Sequence, residues 1–201
     1  IQVFDQEGEL QRAWGMFGKP DDPMLNGDLL YGPRDVVVDQ EGYLYVTDTG
    51  NKRVIKYDAD GQVVAIVGGE GSEDGQFQEP VGLALSADGE VYVADTWNMR
   101  VQVFDQNLNY VRQWSLYGWE GQSVVNKPYL AVDDAGNVYI TDPEQYRILR
   151  FDKQGKLLSI WGQYGNDLSS MNLPTGIKVD SAGRVIVSYS ENHRLLTFEG
   201  N

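Results

Sequence analysis

Carboxylates return along this chain at a fixed interval. Asp48, Asp95 and Asp142 stand 47 residues apart. Each is followed by an amide (Asn51, Asn98, Gln145) and then by an arginine (Arg53, Arg100, Arg147). A fourth copy keeps Asn192 and Arg194 but has Tyr189 in place of the carboxylate. Carboxylates ringing a channel could hold a cation. The same residues could instead hold a turn, through an Asp–Arg pair and side-chain bonds to the backbone. A site is usually singular, whereas this set appears in every copy, so the sequence assigns it to the turn.

Other chemistry finds little support. The single histidine, His193, is the one candidate base, and no elbow motif surrounds a serine. The run GGEGSEDG (68–75) lacks the Lys-Ser/Thr of a phosphate loop and carries three acids, so it reads as an inter-unit loop. Asp133-Asp134-Ala135-Gly136 lacks the spacing of a calcium loop. With no cysteine, thiolate chemistry, disulfides and zinc–sulfur sites are excluded. The sequence therefore predicts no catalytic residue, no metal, no cofactor and no enzyme.

What varies between the copies is the better guide to binding. Inside the turn, Lys52, Met99, Tyr146 and His193 occupy one position, and Trp97 stands beside it in the second copy. Long loops add Phe17, Tyr31, Phe77, Tyr117, Trp119 and Tyr164. Aromatic side chains on polar loops stack sugars or anchor protein partners, although they can also pack over the structure below. The ligand-binding candidates are Trp97, Met99, Trp119, Tyr146 and His193, while Phe77 is expected to pack inward. Two further candidates break the pattern of the first strand in each copy. Asp35 stands where other copies have Gly82 and Gly176, and Lys178 where others have Val37, Ala84 and Ala131. Trp14, Trp114 and Trp161 recur at one position and read as core.

The elements that position these residues form a repeat. Pro33, Pro80, Pro128 and Pro174 open units at spacings of 47, 48 and 46 residues. Each unit holds four short runs with the two-residue period of strands, as in Val36/Val38, Leu83/Leu85, Leu130/Val132 and Ile177/Val179. Turns such as DQEG, SADG, DDAG and DSAG join the first two runs. Their Asp or Ser bonds nearby amides, and their Gly takes the left-handed position. Four-stranded antiparallel sheets of this kind cannot bury both faces alone. Radial stacking solves the problem, so the predicted fold is an all-β propeller of four-stranded blades. A sandwich or jelly roll does not require such a repeat.

The units are 33–79, 80–127 and 128–173, with partial units at 1–32 and 174–201. Ile1 aligns with Leu195, and two arrangements follow. Residues 9–15 could complete the sheet begun at Pro174, closing four blades. Alternatively, the chain could be part of a larger ring.

The pattern P-x-G-[LI]-x-[LV], then D-x-x-G-x-[VL]-Y-[VI]-x-D-x-x-N-x-R-[VI]-x-x-[FY]-D, resembles the NHL repeat. Residues 80–105 match it nearly throughout, and Tyr189 is the main departure. The resemblance covers essentially the whole chain and implies a propeller, commonly six-bladed. Similar propellers include peptide-amidating lyases, which use several histidines around a metal, and calcium-dependent lactonases. One histidine cannot assemble the first site, and no cluster of the second kind is readable. Animal members bind RNA. Bacterial arrays of this type resemble extracytoplasmic parts of larger proteins, which implies an extracytoplasmic location.

The net charge is −14. Phosphate backbones and anionic membranes reward clustered Lys and Arg, so neither nucleic acid nor membrane is an expected partner. No apolar run approaches a membrane span. The reading that results is a binding or scaffold module, whose ligand is a protein, a peptide or a glycan held on the loop face.

Overall fold

A computed structural model describes residues 1–119, 127–165, 167, 170–191 and 193–199. An antiparallel hairpin comes first, β1 (Gln2–Phe4) with β2 (Leu10–Ala13). A short parallel pair follows, β3 (Met16–Phe17) with β4 (Leu29–Leu30). The first full sheet comprises β5 (Pro33–Val38), β6 (Leu44–Asp48), β7 (Arg53–Tyr57) and β8 (Val63–Gly68). The second has β9 (Pro80–Leu85), β10 (Val91–Asp95), β11 (Arg100–Phe104) and β12 (Tyr110–Ser115). The third has β13 (Leu130–Val132), β14 (Val138–Asp142), β15 (Arg147–Phe151) and β16 (Leu157–Trp161). The last has β17 (Pro174–Val179), β18 (Arg184–Tyr189) and β19 (Arg194–Glu199). Strands pair in chain order within every sheet, and the four sheets form the blades of a β-propeller.

Local chemistry closes the hairpins. At the turn between a unit's first two strands, Asp39 Oδ1 accepts from Glu41 N and Tyr43 N, and Asp133 Oδ1 accepts from Ala135 N and Asn137 N. The outer hairpins repeat the device with Asp5, Asp58, Asp105 and Asp152. A side-chain acceptor two residues before the amide it binds is what lets Asp lead such turns.

The core lies between sheets rather than inside them. Val37 and Tyr45 of the first sheet pack with Leu83, Val91, Val93 and Phe104 of the second. Ala84, Tyr92 and Val101 meet Leu130, Val138 and Ile140 of the third. Ala131, Tyr139 and Ile148 meet Ile177, Val185 and Val187 of the last. Each such side chain, fully buried, contributes roughly 1.5–3 kcal/mol. As the repeat predicts, the recurring tryptophans bridge units. Trp14 meets Tyr57 at 5.8 Å, Trp114 meets Phe151 at 6.0 Å and Trp161 meets Phe198 at 6.1 Å.

Two features differ from the sequence reading. β2 pairs with β1 and packs on the first sheet through Ile1 and Trp14, and β19 is the edge of its sheet in the strand order. The closure in which residues 9–15 complete that last sheet is therefore not formed. Second, Val36 and Val38 are 47% and 59% exposed, although Leu83 and Leu130, the equivalents of Val36, are buried and Leu85 and Val132, the equivalents of Val38, are half-buried. The β1–β2 hairpin lies against the outer half of the first sheet and supplies no inner strand to cover β5.

Inner strands pack in sequence, β5 on β9, β9 on β13 and β13 on β17, around a common channel. Gly82 permits one of these approaches, since a Cβ there would lie 2.8 Å from Tyr129 Cα.

Candidate functional site

The repeated polar set is a frame. Asp95 Oδ2 accepts from Arg100 Nε at 2.9 Å and Asn98 Nδ2 at 2.7 Å, while its Oδ1 accepts from the amides of Gln78 and Glu79. Arg100 spends its other N–H groups on the carbonyls of Ser72, Glu73 and Gln76 and on Gln113 Oε1. The first unit repeats this, with Asp48 bound to Arg53, Asn51 and Tyr31 N. Arg53 donates there to the carbonyls of Pro23, Leu25, Asn26 and Leu29. Asp142 pairs with Arg147 at 2.8 Å. The three aspartates are fully buried and face their own loops, so they present no ring of free carboxylates to a channel. In the first two units the set ties the turn to the long loop that precedes its sheet. Asn192 lies outside the described residues.

Between Asp and Arg the chain makes one short 3-10 turn, then a residue of positive φ. Lys52, Met99, Tyr146 and His193 hold φ of 57°, 52°, 55° and 50°. A non-glycine residue in that region is uncommon and carries local strain. It also aims its side chain off the strand, onto the loop face.

That face is where the candidates part company. Trp97 is 50% exposed and Met99 36%. His193 is exposed, and Tyr146 is half-buried with its ring 4.8 Å from that of the exposed Tyr164. Trp119 must be removed from the set. It is 1% exposed and packs with Ala84, Val101, Leu116 and Leu130 between the second and third sheets. There the large apolar area of the indole is removed from water. Phe77 is likewise buried, as expected.

Trp97 has neighbours that the sequence did not single out. Lys52 Nζ, from the first unit, lies 5.4 Å from its ring centroid. Lys127 Nζ, just before the third sheet, lies at the same distance of 5.4 Å. Such ammonium–indole contacts attract through the ring's quadrupole and hold the indole in place. Lys127 is buried and pairs with Glu79 Oε2 at 2.6 Å. Lys52 Nζ donates to the Gln78 carbonyl. Further round the rim, Lys19 covers Tyr31 at 4.4 Å. The signal for the cluster is spatial, because Lys52 comes from one unit while Trp97 and Lys127 stand 30 residues apart in the next.

Asp35 and Lys178 do share a space, bordering a cavity of about 260 Å³ with Tyr129, Ile177 and Ser188. Asp35 is also a clip between blades. Its Oδ2 accepts from Leu83 N of the next sheet at 2.8 Å and its Oδ1 from Val36 N at 2.9 Å. Burial pushes its carboxyl above the usual value, against the Leu83 bond and the nearby Lys178 charge, which both lower it. Among the described residues no ion pair joins Asp35 to Lys178, and no group of three or more His, Asp or Glu is placed to hold a metal. At the opposite mouth, the acids Asp39 and Asp133 border a second cavity but are held in the hairpin turns.

Residues 30–57 and 77–104 match the NHL repeat, so these two segments are NHL repeats within a β-propeller. No curated protein is found to resemble the sequence as a whole. Among solved structures, virginiamycin B lyase from Staphylococcus aureus superposes with a TM-score of 0.65 at 10% identity, over 98% of this chain and 62% of that one. A streptogramin B lyase gives 0.65 at 14% identity, over 98% and 61%. Kuenenia stuttgartiensis hydrazine synthase gives 0.59 at 17% identity, over 88% and 45%. At these identities the likeness is one of fold. The chain spans about three-fifths of the length of the two lyases.

Proposed function

We propose that this propeller is a recognition module, without chemistry of its own, that captures a protein, peptide or glycan on its loop face. The observation that carries this reading is Trp97, half-exposed at the rim and steadied by Lys52 and Lys127. A rotamer already fixed loses less entropy on binding. Tyr117 and Phe17, 88% and 82% exposed, extend the same face. Among the described residues the rim at Trp97 offers one unpaired ammonium rather than a cluster of basic residues, which supports a ligand other than nucleic acid or an anionic membrane.

Binding to an array of immobilised glycans and peptides tests this. Wild-type protein should be captured, and Trp97→Ala should lose capture while keeping its melting temperature. A blank array, or full capture by the variant, would remove Trp97 from the function.

A further inference from the structure

Lys52, Trp97 and Lys127 sit at positions that the repeat leaves free. The equivalents of Trp97 are Gly50, Glu144 and Glu191, and those of Lys127 are Gly32, Glu79 and Leu173. The frame of Asp, Asn and Arg therefore does not account for their meeting. Two units meet at a single point of the rim, where Lys52 of one and Lys127 of the next each stand 5.4 Å from the Trp97 indole centroid. This occurs in a chain whose charge is otherwise strongly negative.

The charges around the indole are unequal. Lys127 is neutralised by Glu79 at 2.6 Å and is buried, so it acts on the ring and not on a ligand. Lys52 is only half-buried and makes no ion pair among the described residues. One of its three N–H groups goes to the Gln78 carbonyl, which leaves two to donate. The site thus offers an apolar aromatic face and, at its edge, one uncompensated ammonium with donors to spare.

Resting on the reading that Trp97 is the capture site, we infer that the group seated there is a hexuronate of an acidic glycan. Its pyranose ring has a C–H face to lie on the indole. Its carboxylate is borne directly on the ring, so stacking and charge pairing come from a single residue. In an acidic peptide, the carboxylate and any group able to cover the indole belong to different side chains, and holding both in register costs additional ordering. A neutral sugar would stack but leave Lys52 without its counter-charge.

Titration calorimetry with tetramers of galacturonate and glucuronate, their methyl esters and pentaglutamate tests this. The acid tetramers should bind about tenfold more tightly than the esters, as expected for one charged hydrogen bond. Lys52→Met keeps the apolar stem and should bring the acids to the level of the esters, and Trp97→Ala should abolish both. The inference falls if the esters bind as tightly as the acids, if Lys52→Met changes nothing, if pentaglutamate binds best, or if neither acid tetramer binds. In those cases the capture site stands wherever Trp97→Ala still removes binding on the array. If Trp97→Ala retains all binding there, the site itself is wrong.

Discussion

Trp97 and Trp119 stand 22 residues apart in the same repeat, and both belong by position to the loop face. One is half exposed in a turn of three residues, and the other is buried between the second and third sheets. The difference is one of freedom. The short turn is pinned by Asp95, Asn98 and Arg100, so residue 97 has no room to fold back. Trp119 stands outside that pinned turn, and its indole joins Ala84, Val101 and Leu130 in the core.

The contrast breaks most sharply if the pin is removed. Asp95→Ala leaves the guanidinium of Arg100 buried without its counter-charge and should cost about 3–5 kcal/mol, read from urea or thermal unfolding. A cost under about 1 kcal/mol would mean that the frame does not hold the turn. Trp119→Ala should come next at about 3–5 kcal/mol, a fall in melting temperature on the order of 10 °C, with capture retained in the folded protein. Little loss of stability there would return Trp119 to the rim.

A partly exposed pair gives a milder effect. Glu90 accepts from both Arg112 Nη1 and Nη2, and from Tyr92 Oη. Those bonds, Arg112 first, hold its carboxyl below the ordinary 4.5. A depressed folded value gives stability that is present above the unfolded pKa and lost as pH falls through the folded one. Glu90→Gln should therefore cost about 0.5–1 kcal/mol at pH 7, with the two urea midpoints converging as the pH falls below the ordinary 4.5. A constant gap across that range would count against the pair. Smallest of all, Trp97→Ala should move stability by no more than about 0.5 kcal/mol while removing capture.

Much of this was written in the repeat. The interval between prolines gave the sheets, the two-residue alternation gave their faces, and the return of Asp, Asn and Arg marked a frame rather than a site. Residues legible as variable were Trp97 and Met99. The exposure of Val36 and Val38 was not legible, because it depends on which strands of the preceding unit lie against β5. Nor was the meeting of Lys52 and Lys127 over Trp97, which depends on the path of two loops through space. Asp35 was visible as a departure, but its bond to Leu83 N, a link between blades, needed the register of neighbouring inner strands.

The positive-φ residue of each turn has one more consequence. Four different side chains, Lys52, Met99, Tyr146 and His193, occupy it, and none is glycine. Any unbranched L-residue there bears about the same local strain of roughly 1 kcal/mol, so exchanging one for another should leave folding nearly untouched. Each blade thus carries one address at which the chemistry of the rim can be rewritten independently. A library confined to these four codons would search ligand preference without sampling unfolded variants.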